Sequence, residues 1–238
     1  ALKGDRAGLA LQPVVHTSTG DVAFYECLMR LEQLDGGYLS TGESIQAAED
    51  NGLSCAIDRR SLALAGDILR ASPKLNLSLN VSALTCRDDS WTATLMATLR
   101  DAPSFAARLT IEITETAEID DLQRTREFVN LVKSLGCKVA LDDFGAGYTS
   151  FDSLVGLGVD ILKIDGAYVR DIVHSAEDQA FVSAMVQVAR RLGIETVAEW
   201  VVDVRTADIV RELGVDYSQG YYFGEPQTLD QVLQTTEG

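Results

Sequence analysis

Eight polar residues stand at or just after the ends of predicted strands, where their side chains could do chemistry together. Carboxylate and amide oxygens are the ligands that hard cations such as Mg²⁺ and Mn²⁺ prefer. An amine beside them could orient or deprotonate a water molecule, or neutralise charge. The pattern therefore favours metal-dependent chemistry. The residues are Glu26, Asn80, Glu112, Asp142, Asp143, Lys163, Glu199 and Gln219.

Taken alone, each of these residues also has a structural explanation. Glu26 could be an exposed strand end, and Asp142 with Asp143 could cap the following turn. Lys163 could form a structural ion pair with Asp165. Together they are harder to explain in this way, because unpaired buried charges are costly and a core would have apolar residues at strand ends.

Eight short apolar segments are predicted strands, and four of them follow a Leu-Gly pair that ends a helical pattern. Glycine just past a helix supplies a left-handed C-cap. A nearly continuous apolar run after it is typical of a strand buried on both faces. The predicted strands are Leu9–Val15, Val22–Leu28, Asn76–Val81, Leu109–Thr114, Lys138–Asp142, Asp160–Ile164, Ile194–Ala198 and Val215–Gln219.

The segments between most of these strands have the apolar spacing of amphipathic helices, and this alternation predicts a parallel sheet with crossover helices. The turn His16–Asp21 is too short for a helix, so the first two strands should form an antiparallel hairpin. We therefore predict an α/β fold, a modified (β/α)₈ TIM-type barrel with an antiparallel first strand. The carboxyl ends of barrel strands converge on one face, where active sites are built. Predicted helical segments are 42–71, broken near Asn51-Gly52, and 120–135, 176–192 and 203–213.

Composition narrows the function classes. The net charge of −16 repels polyanions, so the chain should not bind duplex nucleic acid non-specifically. No apolar run approaches the roughly 18 residues of a membrane span. Four scattered cysteines fit free thiols in a reducing compartment, which predicts a cytoplasmic location, or the cytoplasmic face if a longer parent protein is anchored in a membrane. The cysteines are Cys27, Cys55, Cys86 and Cys137.

A series of short motifs, in order along about residues 8–227, resembles the EAL family of cyclic di-GMP phosphodiesterases. The family's E-A-L-x-R signature has a cysteine at its second position in this chain. The most specific stretch is Asp142–Tyr148. The other motifs are Leu11-Gln12-Pro13-Val14, Glu26-Cys27-Leu28-Met29-Arg30, Asn80-Val81-Ser82, Glu112-Ile113-Thr114-Glu115, Lys163-Ile164-Asp165, Ala198-Glu199 and Gln219-Gly220-Tyr221.

The resemblance implies hydrolysis of cyclic di-GMP to linear pGpG with two Mg²⁺ or Mn²⁺ ions. Lys163 would contact the attacking water, and Arg30 would grip a phosphate. The implied metal ligands are Glu26, Asn80, Glu112, Asp142, Asp143 and Glu199. The implied catalytic residues are Lys163, Glu26, Glu199, Gln219 and Glu115, and the implied substrate-binding residues are Gln12, Leu28, Arg30, Asn80 and Asp165.

The resemblance also implies assembly and regulation. Glu115 would anchor the Asp143–Ser150 loop, which often takes part in a dimer in this family, so we expect a homodimer. We expect residues 1–238 to form one barrel domain of a longer protein that carries a linked GGDEF or sensory domain.

Three residues depart from the family pattern. Cys27 replaces the signature alanine and, being small and readily buried, should have little effect. Trp200 replaces a glycine and is expected to crowd or cover the rim of the site. Val202 replaces a glutamate that could support the metal ligands, and such losses commonly lower activity. Val202 therefore keeps open an alternative function, a receptor that binds cyclic di-GMP without hydrolysing it.

Overall fold

The computed structural model describes residues 6–33, 37–39, 41–114, 122–145 and 151–236. Within these residues a single sheet of nine strands forms the framework. The strands are β1 Ala7–His16, β2 Val22–Glu32, β3 Tyr38–Leu39, β4 Leu77–Val81, β5 Leu109–Thr114, β6 Lys138–Phe144, β7 Ile161–Ile164, β8 Glu195–Ala198 and β9 Tyr217–Gln219.

Eight of these strands close into a barrel. The sheet runs β1-β9-β8-β7-β6-β5-β4-β2, and β1 also pairs with β2, which completes the ring. The strand β1 is antiparallel to both of its neighbours, while β2 and β4 to β9 run parallel to one another. The predicted barrel with an antiparallel first strand is therefore confirmed.

Helices surround the barrel and connect its parallel strands. The predicted break near Asn51-Gly52 is confirmed, since α1 and α2 are separate helices and Gly52 has a φ of 64°. The glycines of all four Leu-Gly pairs have positive φ, as expected of helix C-caps. The helices are α1 Thr41–Asp50, α2 Ser54–Ala71, α3 Asp89–Asp101, α4 Leu122–Ser134, α5 Phe151–Leu157, α6 Ala176–Leu192, α7 Val204–Glu212 and α8 Leu229–Thr236, with 3₁₀ turns at Thr85–Arg87, Pro103–Arg108 and Gly166–Tyr168.

Several elements were not predicted, among them β3, α3 and the helix α8. The strand β3 pairs with the outer part of β2 through only two residues, Tyr38 and Leu39, and lies outside the closed barrel. The helix α3 begins at Asp89, and the Asp88 carboxylate caps it by accepting a hydrogen bond from the Ser90 backbone N–H.

Apolar side chains fill the barrel interior and the space between barrel and helices. The larger cluster packs the outward faces of the strands against the helices and includes the fully buried Trp91. A smaller cluster takes one residue from each of six barrel strands: Val14, Phe24, Ala140, Ile161, Val197 and Tyr217. No helix in the described part of the chain combines the length and apolar character needed to cross a membrane.

Candidate active site

On each of the six strands that contribute to the smaller apolar cluster, a polar side chain lies two residues beyond the cluster residue. Successive side chains of a strand point to opposite faces, so residues two positions apart share a face. Ala140 is thus followed on the same face by Asp142, and Ile161 by Lys163. On the reversed strand β1 the count runs backwards, from Val14 to Gln12. The same step leads from Phe24, Val197 and Tyr217 to Glu26, Glu199 and Gln219.

The buried Lys163 ammonium is the centre of the site. Its side chain is 1% exposed, and its Nζ lies 2.7 Å from Glu112 Oε2. Nζ also lies 2.9 Å from Asp142 Oδ1, 2.9 Å from Glu199 Oε1 and 3.5 Å from Glu26 Oε2. Lys163 therefore pairs with four strand-end carboxylates rather than with Asp165. Burial disfavours the ammonium, but these carboxylates outweigh burial and raise the Lys163 pKa well above its usual value.

Two amide side chains hold the Glu26 carboxylate in place. Asn80 donates a 2.6 Å hydrogen bond to Glu26 Oε1, and Gln219 donates one of 2.6 Å to Oε2. Burial opposes the ionisation of Glu26, yet Lys163 and these two donors lower its pKa. Glu26 is consequently an oriented carboxylate, with one oxygen held from β4 and the other from β9.

If all were ionised, the carboxylates of the site would carry more negative charge than Lys163 balances. Burial raises the pKa of Glu112 to about 8, and Glu26 and Asp142 add to this effect against that of Lys163. Burial also raises the pKa of Glu199 well above its usual value. Burial and the adjacent Asp142 raise the pKa of Asp143 to about 6. An additional cation at this site would favour the ionised form of every one of these groups.

A local irregularity in β6 brings two consecutive aspartates to the same place. The register with β7 shifts between Leu141 and Phe144, and Asp143 has the left-handed φ of 56°. This breaks the alternation of side chains, as β-bulges do. Asp142, Asp143 and Glu199 consequently offer ligand atoms that all lie within 4.8 Å of one another.

The donor set fits divalent metal ions. Asp142, Asp143 and Glu199 provide an acidic group that could hold an ion, with hard oxygen ligands of the kind Mg²⁺ and Mn²⁺ take. Glu112 Oε1 and Gln219 Oε1 are buried and have no hydrogen-bond partner among the described residues. Buried polar atoms are normally satisfied, so these two are available to a metal ion or a water bound to it.

A cavity opens beside the carboxylates. Gln12 lines it, together with Glu26, Glu199 and Gln219. The other lining residues come from the turns after β8 and β9: Trp200, Val202, Gly220 and Tyr221. Trp200 thus stands on the cavity wall, and Val202 presents an apolar surface where the family pattern has a carboxylate.

The other residues with predicted roles lie outside this cavity wall. Arg30 is half-buried and donates to the Met29 carbonyl, and Tyr221 is close enough to influence its pKa, which burial lowers. Leu28 is half-buried on β2. The Asp165 carboxylate accepts a 2.6 Å hydrogen bond from the Ala167 backbone N–H and so caps the turn after β7. Glu115 and residues 146–150 lie outside the described residues.

Sequence reasoning missed a residue that supports Asn80. Asp58, on α2, is 8% exposed and accepts hydrogen bonds from Ser82 N at 2.9 Å, Ser82 Oγ at 2.8 Å and Thr85 Oγ1 at 2.7 Å. These bonds fix the chain two residues after Asn80. No motif marks an aspartate within an amphipathic helix as functional, so the sequence offered no signal for it.

A second missed contact supports the turn after β6. The Tyr168 hydroxyl donates a 2.7 Å hydrogen bond to the Gly145 carbonyl, and its ring stacks on Phe181 with centroids 3.8 Å apart. A Cβ on Gly145 would lie 2.7 Å from the Tyr168 ring, so this close approach requires glycine. The contact fixes the backbone just after Asp143.

Known proteins are similar to this chain in sequence and in fold. Cyclic di-GMP phosphodiesterase PdeF of Escherichia coli (strain K12) is 30% identical over 241 residues, which cover 100% of this chain and 32% of PdeF. The solved structure of PaMucR phosphodiesterase in its c-di-GMP complex is 28% identical, with a TM-score of 0.90, and the match covers 98% of this chain and 96% of that one.

A third similar protein was solved with a divalent ion. The calcium and cyclic di-GMP complex of Klebsiella pneumoniae BlrP1 is 30% identical, with a TM-score of 0.81 over 94% of this chain and 58% of that chain. This chain spans about a quarter to a third of the length of the curated relatives it matches. A family model described as the EAL domain matches residues 1–226. The chain therefore belongs to the EAL domain family.

Proposed function

We propose that this domain hydrolyses cyclic di-GMP to linear pGpG. The observation that carries the proposal is the convergence of five carboxylates, two amides and Lys163 at one barrel mouth beside an open cavity. The names of similar proteins support the choice of substrate, since PdeF is a cyclic di-GMP phosphodiesterase and PaMucR was solved with c-di-GMP.

The proposed ligands of two Mg²⁺ or Mn²⁺ ions form one continuous set. Asp142, Asp143 and Glu199 are already grouped, and Lys163 links them to Glu26 and Glu112. Asn80 is joined to this set by the hydrogen bond that it donates to Glu26. When bound, such ions would lower the pKa of a bound water molecule and stabilise negative charge on phosphoryl oxygens.

The chain's own residues would orient the reactants. Lys163, an ammonium surrounded by carboxylates, is a hydrogen-bond donor and would hold the attacking water. Gln219 would keep the Glu26 carboxylate oriented as a metal ligand. The water oxygen adds to phosphorus, the bond from phosphorus to one ribose oxygen breaks, and that oxygen takes up a proton.

Other side chains would bind the rest of the dinucleotide. Arg30 would grip a phosphate, because a guanidinium matches phosphate geometry. Gln12, on the cavity wall, would contact the ligand. Leu28, Asn80 and Asp165 would complete this surface. Glu115 would act through the loop that it anchors.

A specific observation supports the receptor alternative. Val202 is 49% exposed on the cavity wall, where it cannot hydrogen-bond to a metal ligand or to a water. Outer hydrogen bonds of that kind commonly tune metal affinity and activity. In this alternative the domain binds cyclic di-GMP at the same mouth and signals without cleaving it.

Product analysis separates the two functions. Purified protein is incubated with cyclic di-GMP and Mg²⁺ or Mn²⁺, and pGpG is followed by chromatography. Product that disappears with EDTA and in Glu26→Ala supports the hydrolase. Saturable binding without product overturns it in favour of the receptor.

A matched variant controls for general damage. Glu195 is the first residue of β8, and Glu199 directly follows its last. Glu195 therefore lies at the opposite end of the strand from the site, where it pairs with Lys138 and Tyr217. Glu195→Gln should keep most of the activity, whereas Glu199→Gln should lose it. Equal loss in the two variants would mean that destabilisation, not the site, explains the effect.

The proposal also covers assembly and context. Because the chain spans only part of its relatives, we propose that it works as a barrel domain of a longer protein with a linked regulatory domain. A homodimer and a cytoplasmic location complete the proposal, and sedimentation analysis of the purified chain tests the dimer.

A further inference from the structure

Trp200 has an unusual backbone conformation at a position next to the site. Its φ is 57°, in the left-handed region that glycine favours and bulky residues rarely adopt. It directly follows Glu199, a proposed metal ligand. Strained residues of this kind persist only where their surroundings hold them, and they cluster at functional sites.

Two contacts fix the indole ring. The guanidinium carbon of Arg170 lies 3.7 Å from the ring centroid, a cation–π contact. The ring also lies directly against the backbone of Gly166, since a Cβ on that glycine would come within 2.0 Å of the indole Cδ1. Any side chain at position 166 would therefore displace the ring, and the indole is held in one orientation.

The held ring nevertheless keeps much of its surface open. Trp200 is 51% exposed and lines the same cavity as Glu26 and Glu199. Val202 and Tyr221 line the same cavity and are 49% and 66% exposed, so the open indole belongs to a larger exposed apolar surface of the kind that marks ligand sites. A fixed aromatic surface beside a charged site is suited to a ligand that is anionic at one end and flat and apolar at the other.

We propose that Trp200 is a platform on which one guanine base of the bound dinucleotide stacks. This inference rests on the proposed function, which supplies cyclic di-GMP as the ligand. A phosphate held near Glu26 and Glu199 places the adjoining nucleoside at the cavity rim, where Trp200 stands. Every base has a π-face, and stacking on an aromatic side chain contributes to affinity at the cost of little further ordering when the ring is already fixed.

Binding and turnover measurements on two variants test the platform. Trp200→Gly suits the local backbone and removes the ring, so KM for cyclic di-GMP should rise about tenfold while kcat stays within about twofold. Trp200→Phe keeps an aromatic face and should restore most of the affinity. Circular dichroism checks that both variants fold.

Intrinsic fluorescence provides a direct readout. The sequence has two tryptophans, and Trp91 is fully buried against Phe128. Titration of the wild type with cyclic di-GMP in Ca²⁺ should change the emission saturably, because Trp200 is covered. The change should vanish in Trp200→Phe, which retains Trp91.

The outcomes distinguish this inference from the proposed function. If the wild type binds and cleaves cyclic di-GMP but Trp200→Gly binds it equally tightly by calorimetry, the platform is wrong and the hydrolase stands. If the wild type shows no binding of cyclic di-GMP by calorimetry, both proposals fail.

Discussion

Replacing Lys163 with methionine should destabilise the metal-free protein more than any comparable surface change. Methionine has a similar length but no charge. The substitution removes the ammonium that lies 2.7 to 2.9 Å from Glu112, Asp142 and Glu199, all within a site that excludes most water. No positive charge then offsets the repulsion among the three carboxylates or the cost of burying them.

The expected cost follows from the burial of the group. Removing one partner of a buried ion pair costs about 3–5 kcal/mol. The lower end applies to Lys163→Met, because the Glu112 pKa of about 8 lets that carboxyl bind a proton at neutral pH and relieve part of the repulsion. For a chain of 238 residues, about 3 kcal/mol corresponds to a Tm decrease of roughly 6–12 °C.

A surface lysine with the same pairing distance is the control. Lys138 Nζ lies 2.7 Å from Glu195, but these side chains are 52% and 40% exposed. Such pairs contribute at most about 1 kcal/mol, so Lys138→Met should lower Tm by no more than about 4 °C. The comparison holds pairing distance constant and varies burial.

Thermal unfolding in EDTA, followed by circular dichroism, measures both variants. Repeating the scans with Mg²⁺ or Mn²⁺ should narrow the gap between Lys163→Met and the wild type, because bound cations replace the missing positive charge. If Lys163→Met and Lys138→Met unfold at the same temperature in EDTA, the reasoning about buried charge is wrong.

Three other predictions concern the supporting structure. Asp58→Ala should lower the free energy of unfolding by about 1–3 kcal/mol in urea titrations, because the buried Thr85 hydroxyl and the half-buried Ser82 N–H lose their acceptor, and an unchanged midpoint would contradict this. Gly220→Ala should cost more than about 2 kcal/mol in the same assay, since the added Cβ would lie 2.0 Å from the Val201 carbonyl oxygen, and full stability would show that the turn can relax. A thiol reagent at pH 8 should modify one cysteine of the native protein, Cys55, and four after unfolding, because the other three are buried and burial raises their pKa values; four fast-reacting native thiols would disprove it.

The positions of the site residues could be predicted because the barrel strands carry a simple signal. Each strand is an apolar run buried on both faces, and the site residue is the polar exception near its end. Lys163 illustrates this, since it interrupts an otherwise apolar strand, and Glu112 is the one charged residue of its strand. The hairpin between β1 and β2 was predictable for a different reason, the short turn that leaves no room for a helix.

The pairing within the site could not be predicted in the same way. Asp165 is two residues from Lys163 and was an obvious candidate partner, yet it caps the turn after β7, while Lys163 reaches across to strands β2, β5 and β6 and to Glu199 beyond β8. Which charged side chains meet inside a barrel depends on the order and register of the strands, and no local sequence pattern indicates either one.

The shortest strand and the helix contact to Ser82 were missed for related reasons. Two residues, Tyr38 and Leu39, are too few to show an alternating pattern, and their pairing depends on how far β2 extends beyond the barrel. Asp58 acquires its role only when α2 packs beside β4 and the turn that follows.

Closure of the barrel by β1 and β9 determines when this site can exist during synthesis. The Thr17 and Ser218 hydroxyls meet at 2.8 Å although 201 positions separate them along the chain. A nascent chain that has not reached β9 lacks Gln219 and leaves β1 and β8 as open edges, which are prone to pair with other chains. The hairpin of β1 and β2 can form early, but its Glu26 stays without the amide from β9 until β9 has been synthesised. The full set of site side chains is thus assembled only once β9 has joined the barrel, and a polypeptide released before that strand should be an aggregation hazard.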